Sequence, residues 1–137
     1  SIDFSAEVTS RMTEAYPGLT FLTMDARNTT FADGEFGAVI DKGLSDCIGS
    51  AYERRMYFAE LQRVLAKPKG VMVVISQRAL EVRRDLGTGW DCAERAELMG
   101  PLFFEDSATR PPMPYPGTEG TIAYYLLSCR KAAAIVS

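Results

Sequence analysis

Three aspartates occupy the same kind of position in the first third of the chain, each directly after a short apolar run. They are Asp3, Asp25 and Asp41. A carboxylate accepts hydrogen bonds from two hydroxyls at once, and one that ends a strand of a parallel sheet often binds a ribose. The alternative is local, because an aspartate after a strand also serves as a loop starter or a helix cap. Three such residues in succession favour a shared binding edge.

The absence of some residue types restricts the chemistry further. The chain contains no histidine, which excludes Ser-His-Asp and Cys-His nucleophilic sites and histidine-ligated metals within it. Cys47, Cys92 and Cys129 are widely spaced and include no CxxC pair. We therefore expect neither a disulfide framework nor a metal site, and we interpret the cysteines as small buried hydrophobic residues. Any reaction at this protein must therefore use carboxylates, amines, hydroxyls and a cofactor.

Composition narrows the classes of partner. The 137 residues carry 15 Lys and Arg against 18 Asp and Glu, a net charge of −3 that argues against a nucleic-acid partner. No apolar run approaches the roughly 20 residues that span a bilayer, and no signal peptide opens the chain. We expect a single globular domain in the cytoplasm, without a membrane partner.

The hydrophobic pattern alternates between short apolar runs and amphipathic stretches. It predicts helices over 6–16 and 52–66, and strands over 19–24, 36–40, 71–76, 90–98 and 121–129. The stretch 79–86 fits a short helix or a loop. This alternation is typical of an α/β fold with a parallel sheet, in which right-handed crossovers bring the carboxyl ends of the strands to one edge. Ligands bind at that edge in open α/β sheets.

Three segments of the chain resemble the class I S-adenosylmethionine-dependent methyltransferases. They are Ile2–Ser5, Phe21–Arg27 and Phe31–Gly43. Within that class the chain is most similar to the branch that methylates elongation factor 1A on lysine or at its N-terminus. The signature of that branch is Asp/Glu-Lys-Gly-Thr-x-Asp-Ala, and residues 41–47 read Asp-Lys-Gly-Leu-Ser-Asp-Cys. The run departs from the signature at Leu44 and Cys47.

The resemblance implies a Rossmann-like sheet of seven strands, mostly parallel, with an antiparallel last strand. The first strand of that plan and the glycine-rich loop after it have no counterpart in this sequence. We therefore expect residues 1–137 to be a partial methyltransferase domain that begins at the second strand, and the whole polypeptide to be longer. Without that central strand, the strands on either side of it would be left as exposed edges.

The same resemblance assigns the residues that bind S-adenosylmethionine. Asp3 would accept hydrogen bonds from the ribose hydroxyls, Asp25 from the adenine amino group, and the Ala26 N–H would bond the ring. Phe4 would pack on the adenine face, as aromatic side chains do against bases. Ordinary packing in the core is the alternative for Phe4.

Catalytic and substrate contacts are implied around the signature. Asp41 and Asp46 are the candidate catalytic carboxylates, with Asp41 also beside the methionine end of the cofactor. Lys42 and Trp90 are the candidate substrate contacts. A solvated lysine or a partner for Asp46 is the alternative for Lys42. Packing in the core or on the surface is the alternative for Trp90. The proline-rich segment 110–116 is either a substrate-facing loop or a disordered connection.

The function implied by the resemblance is methyl transfer from S-adenosylmethionine to a protein lysine, with elongation factor 1A as the implied partner. One alternative is a methyltransferase of the same fold that acts on a small molecule. Another is a non-catalytic interaction module, because a stretch without the glycine-rich loop can be inactive by itself. The sequence leaves the oligomeric state open.

Overall fold

The computed structural model describes residues 1–66, 69–87, 89–101 and 121–131. Within them the elements follow in the order β1 (Ile2–Asp3), α1 (Ala6–Ala15), β2 (Leu22–Thr23), β3 (Ala38–Lys42), α2 (Leu44–Cys47), α3 (Ala51–Val64), β4 (Val71–Ser76), α4 (Ala79–Leu86), β5 (Trp90–Pro101) and β6 (Thr121–Lys131). The proline-rich segment 110–116 lies outside the described residues. No helix of the described part is long and apolar enough to cross a membrane.

The strands form two sheets. β1 and β2 pair in parallel, and the second sheet has the order β3-β4-β6-β5. β3 and β4 are parallel, β6 runs antiparallel to β4, and β5 runs antiparallel to β6. β6 is therefore the strand that opposes the others in its sheet. The predicted α/β fold, mostly parallel with an antiparallel last strand, is confirmed.

Local sequence signals explain where the two longer helices begin. The Ser5 hydroxyl accepts a hydrogen bond from the Val8 N–H at the start of α1. At the start of α3, the Ser50 hydroxyl accepts from the Glu53 N–H at 3.1 Å and donates to the Glu53 carboxylate at 2.9 Å. Such caps satisfy N–H groups that have no partner inside the helix. Pro17 follows the end of α1.

The hydrophobic core lies between α3, α4 and the larger sheet. Its buried members are Tyr57, Phe58, Leu61, Leu65, Met72, Val74, Val82, Leu86, Leu127 and Cys129. Strand β4 turns Met72, Val74 and Ser76 fully inward, whereas the residues between them are half-buried. The amphipathic pattern of α3 and the continuous apolar run of β4 both predicted this packing.

Buried charges tie α3 to α4. The Arg54 guanidinium donates to the Asp85 carboxylate at 2.7 Å and to the Ile48 carbonyl at 2.6 Å. Arg84 donates to the same carboxylate from the solvent side. The hydrogen bonds from Arg84, with those from Arg54, hold the pKa of Asp85 below its usual range.

A second polar cluster ties α3 to the loop that precedes β3. The Glu60 carboxylate accepts from the Thr29 N–H at 2.8 Å, from the Thr29 hydroxyl and from Arg63. Arg63 also donates to Asp33 at 2.7 Å. The loop 28–34 is therefore anchored on α3 by charge-assisted hydrogen bonds.

Two parts of the prediction differ from the structure. The expected strand over 19–24 is limited to Leu22–Thr23, and a short helix, α2, stands where a loop was expected. α2 begins after Gly43, which has φ 80°, a conformation that favours glycine. The open choice over 79–86 resolves as helix α4.

The interpretation of all three cysteines as buried hydrophobic residues is wrong. Cys92 and Cys129 form a disulfide, with their Cα atoms 4.0 Å apart, and Cys47 is an exposed free thiol. The two bonded cysteines lie directly opposite each other in the β5–β6 ladder. Their pairing depends on a contact between strands 37 residues apart, which the spacing of cysteines in the sequence does not reveal.

Candidate functional site

The carboxyl ends of the parallel strands meet at one edge of the protein. α3 follows β3 and α2, so its first turn lies beside the carboxyl end of β3. Arg27, which comes shortly after β2, forms an ion pair with Glu53 in that first turn. β2 therefore ends at the same edge as β3, and β1 does so as its parallel partner. We call this side of the molecule the carboxyl edge.

Asp3 reaches the carboxyl edge at the end of β1 with capacity for a ligand. Its half-buried carboxylate accepts from the Ser5 N–H through Oδ1 at 2.8 Å. No described residue donates to its Oδ2. Phe4, next in the chain, is 82% exposed, so the core-packing alternative for this ring is wrong. An acceptor oxygen without a described partner and an exposed aromatic side chain thus occur on consecutive residues.

Asp25 is exposed at the same edge, and Arg27 binds its carboxylate. Arg27 donates to it through Nε at 3.0 Å, through Nη2 at 2.8 Å and through its backbone N–H at 2.9 Å. These hydrogen bonds lower the pKa of Asp25. Ala26, between them, is half-buried and packs against the core. Sequence reasoning missed Arg27, although an arginine two residues after an aspartate in a turn was a visible signal.

Asp41 faces the interior of the protein. Its side chain is buried, and its carboxylate accepts from the Leu44 N–H at 2.8 Å and from the Ser45 N–H at 3.2 Å. Burial raises the pKa of Asp41, and burial next to Asp41 raises the pKa of Tyr57. The helix-cap alternative is thus the one that the structure supports for Asp41, which positions α2.

Asp46 joins α2 to the end of β4. Its half-buried carboxylate accepts from the Ser76 hydroxyl and, at 2.9 Å, from the Gln77 N–H. Lys42 is exposed and does not pair with Asp46, which matches the alternative of a solvated lysine. Lys42 and Cys47 are the polar side chains that the signature run presents to solvent at this edge.

Trp90 lies at the opposite edge from Lys42, so the structure does not bring these two candidate substrate contacts together. Trp90 pairs with Lys131, and the next pair along, Asp91 and Arg130, is level with Val71 at the start of β4. The Trp90 ring is half-buried and packs against the core. The reason is topological, since β5 runs parallel to β4 and therefore begins at the amino edge.

The carboxyl edge offers the groups that a nucleoside needs. A carboxylate oxygen without a partner, an exposed aromatic ring and a second carboxylate are supplied by Asp3, Phe4 and Asp25. In the described ranges, no three His, Cys, Asp or Glu side chains are grouped closely enough to hold a metal ion. Recognition by hydrogen bonds and stacking is the chemistry that this surface supports.

The chain is similar to known proteins in its structure. No family model matches the chain, and no curated protein matches it. One similar solved structure is of a protein described by the conversion of a disulfide bond into a thioacetal group during echinomycin biosynthesis. It has TM-score 0.65 and 18% identity, and the match covers 95% of this chain and 65% of that one. The chain thus spans just under two thirds of that protein.

Two further solved structures are methyltransferases by name. A SAM-dependent methyltransferase from Methanosarcina mazei is similar with TM-score 0.62 and 14% identity, covering 95% of this chain and 80% of that one. The N-methyltransferase NodS from Bradyrhizobium japonicum gives TM-score 0.63 and 14% identity, covering 96% of this chain and 72% of that one. The chain therefore has the class I methyltransferase fold.

Proposed function

We propose that this chain binds S-adenosylmethionine at the carboxyl edge and belongs to a methyltransferase. One observation carries the proposal: the Oδ2 of Asp3 lacks a partner among the described residues, and the next residue, Phe4, is exposed to solvent. The fold supports it, because similar solved structures include S-adenosylmethionine-dependent methyltransferases. The carboxyl edge is also where open α/β sheets bind their ligands.

The described residues fit the nucleoside part of the cofactor in different ways. Asp3 has an oxygen ready to accept from a ribose hydroxyl. Asp25 is occupied by Arg27, so binding of an adenine amino group requires Arg27 to give up part of its contact. Arg27 retains Glu53 as a second partner during that exchange. Adenine binding at Asp25 is thus a replacement of one donor by another.

S-adenosylmethionine supplies a methyl group that its positive sulfonium has already activated. The residues of this chain therefore act mainly by holding donor and acceptor in line, a contribution worth several kcal/mol. Asp41 and Asp46 serve this purpose through α2, whose start and whose contact with β4 they fix. They act as positioning residues, because hydrogen bonds within the protein engage both carboxylates.

The acceptor we propose is a protein lysine, with elongation factor 1A as the first candidate. The run 41–47 supports this through its resemblance to the signature of that branch, and it places the exposed Lys42 at the carboxyl edge. An acceptor lysine attacks as the neutral amine, so it must lose its proton before methyl transfer, and a nearby carboxylate charge opposes that loss.

A small-molecule acceptor is the second candidate. The observation that favours it is the similarity to a structure from echinomycin biosynthesis. The departures at Leu44 and Cys47 from the signature of the elongation factor branch point the same way. Both candidates use the same cofactor site.

Methyl transfer from tritiated S-adenosylmethionine tests the proposal. The chain is incubated with elongation factor 1A in one arm and with a protein-free metabolite extract in the other. Label on the protein supports the first acceptor, and label in the extract alone supports the second. At cofactor concentrations below saturation, Asp3→Asn should slow transfer at least about tenfold in either arm. Asp91→Asn, an exposed aspartate at the amino edge, should leave transfer unchanged. Binding of the cofactor without transfer would favour a non-catalytic module.

A further inference from the structure

The two sulfurs of the disulfide have different access to solvent. Cys129 is completely buried in the core, where it lies level with Met72 of β4. Cys92 is half-buried and lines a cavity of about 220 Å³ at the amino edge. Arg83 and Trp90 line the same cavity. A molecule that enters this cavity therefore contacts Cys92, whereas Cys129 has no exposed surface.

We propose that Cys92 is a site of thiol–disulfide exchange with small thiols of the glutathione type. A thiolate attacks a disulfide sulfur that it reaches, and Cys92 is the bonded cysteine that borders the cavity. The cavity lies at the amino edge, away from the carboxyl edge, so this site is independent of the proposed cofactor site.

The exchange balances with the thiol as reductant. The thiolate bonds to the Cys92 sulfur, the Cys92–Cys129 bond breaks, and Cys129 leaves with the electron pair as a thiolate. A second thiolate then bonds to the sulfur of the first, which releases the small-molecule disulfide and the Cys92 thiolate. Two thiols are oxidised to one disulfide, the protein disulfide is reduced by two electrons, and the two protons pass to the cysteines.

The fold supports exchange without unfolding. The β5–β6 ladder is continuous along both sides of the disulfide, from Trp90 and Lys131 to Pro101 and Thr121, with a shift only between Glu94 and Ala96. Its main-chain hydrogen bonds join the two strands whether or not the sulfurs are bonded. The Gln62 side chain also donates to the Gly89 carbonyl and anchors the start of this region.

A matched pair of variants tests which sulfur reacts. In a Cys47→Ser background, which removes the exposed thiol, Cys129→Ser leaves Cys92 and Cys92→Ser leaves Cys129. Each variant lacks the disulfide, so both lose the same cross-link. With oxidised glutathione under native conditions, intact mass should show Cys129→Ser modified about tenfold faster or more. Equal rates, or faster modification of Cys92→Ser, would overturn the proposal.

A second measurement does not depend on those variants folding. The Cys47→Ser protein, with its disulfide intact, is treated briefly with reduced glutathione, quenched with acid and digested. The glutathione adduct should be found on Cys92, and an adduct on Cys129 would overturn the proposal.

Discussion

Removing Arg54 should destabilise the protein far more than removing the other arginine that binds the same carboxylate. Arg54 is 4% exposed and donates to Asp85, which is 2% exposed, at 2.7 Å. Arg54→Met leaves Asp85 buried with one remaining ion-pair partner, Arg84. Breaking a buried pair by removing one partner costs about 3–5 kcal/mol. Because Arg84 remains, we expect a loss near the lower end, about 3 kcal/mol.

Arg84→Met is the matched control. It removes two hydrogen bonds from the same Asp85 carboxylate, at 2.9 and 3.1 Å. The Arg84 side chain is 60% exposed, so solvent screens the pair, and such pairs contribute less than about 1 kcal/mol. The comparison separates burial from hydrogen-bond number, because the variant that loses more bonds to Asp85 should lose less stability.

Urea unfolding measures both costs. The fluorescence of Trp90, the single tryptophan, and circular dichroism should give coincident transitions for a two-state protein. The free energy of unfolding of each variant is then compared with that of the parent chain at pH 7. Equal losses for the two variants, or a smaller loss for Arg54→Met, would refute the reasoning from burial.

The same assay checks two further expectations. Hydrogen bonds from Arg63 and Thr29 lower the pKa of Glu60 from 4.5 to about 2, so Glu60 contributes stability above pH 4.5 that is lost as the pH falls towards 2. Glu60→Gln should lower the free energy of unfolding by about 2 kcal/mol at pH 7 and flatten the pH dependence of the urea midpoint over the same pH range. An unchanged pH dependence would contradict the lowered pKa of Glu60. Gly70→Ala should cost about 2 kcal/mol because the new Cβ would stand 2.6 Å from a backbone oxygen. Gly37→Ala is the control and should be nearly neutral, because its Cβ has open space. Similar costs for the two variants would count against the packing argument.

Local pattern was sufficient for the elements that build the core. The apolar stripe of α3 and the continuous apolar run of β4 fixed type and position to within a residue or two. Strands of two residues, such as β2, carry too little periodicity to be bounded from sequence. The helix α2 has only four residues and carries too little periodicity for the same reason, so the sequence leaves open whether Asp41 caps a helix or contacts a ligand.

Features that depend on pairing between distant segments were beyond the sequence. The position of Trp90 follows from the place and direction of β5 in the sheet, and the disulfide follows from the register that sets Cys92 opposite Cys129. Arg27 illustrates a third case, because its contact with Glu53 requires β2 and α3 to be adjacent in space. In each case the residue type was visible and the partner was not.

Calorimetric titration with S-adenosylmethionine tests the central claim most directly. The cofactor should bind the parent chain and Asp91→Asn with equal affinity. It should bind Asp3→Asn at least about tenfold more weakly, because hydrogen bonds to a charged group contribute about 1.5–3 kcal/mol. Absence of binding, or equal affinity of the parent chain and Asp3→Asn, would contradict a cofactor site at the carboxyl edge.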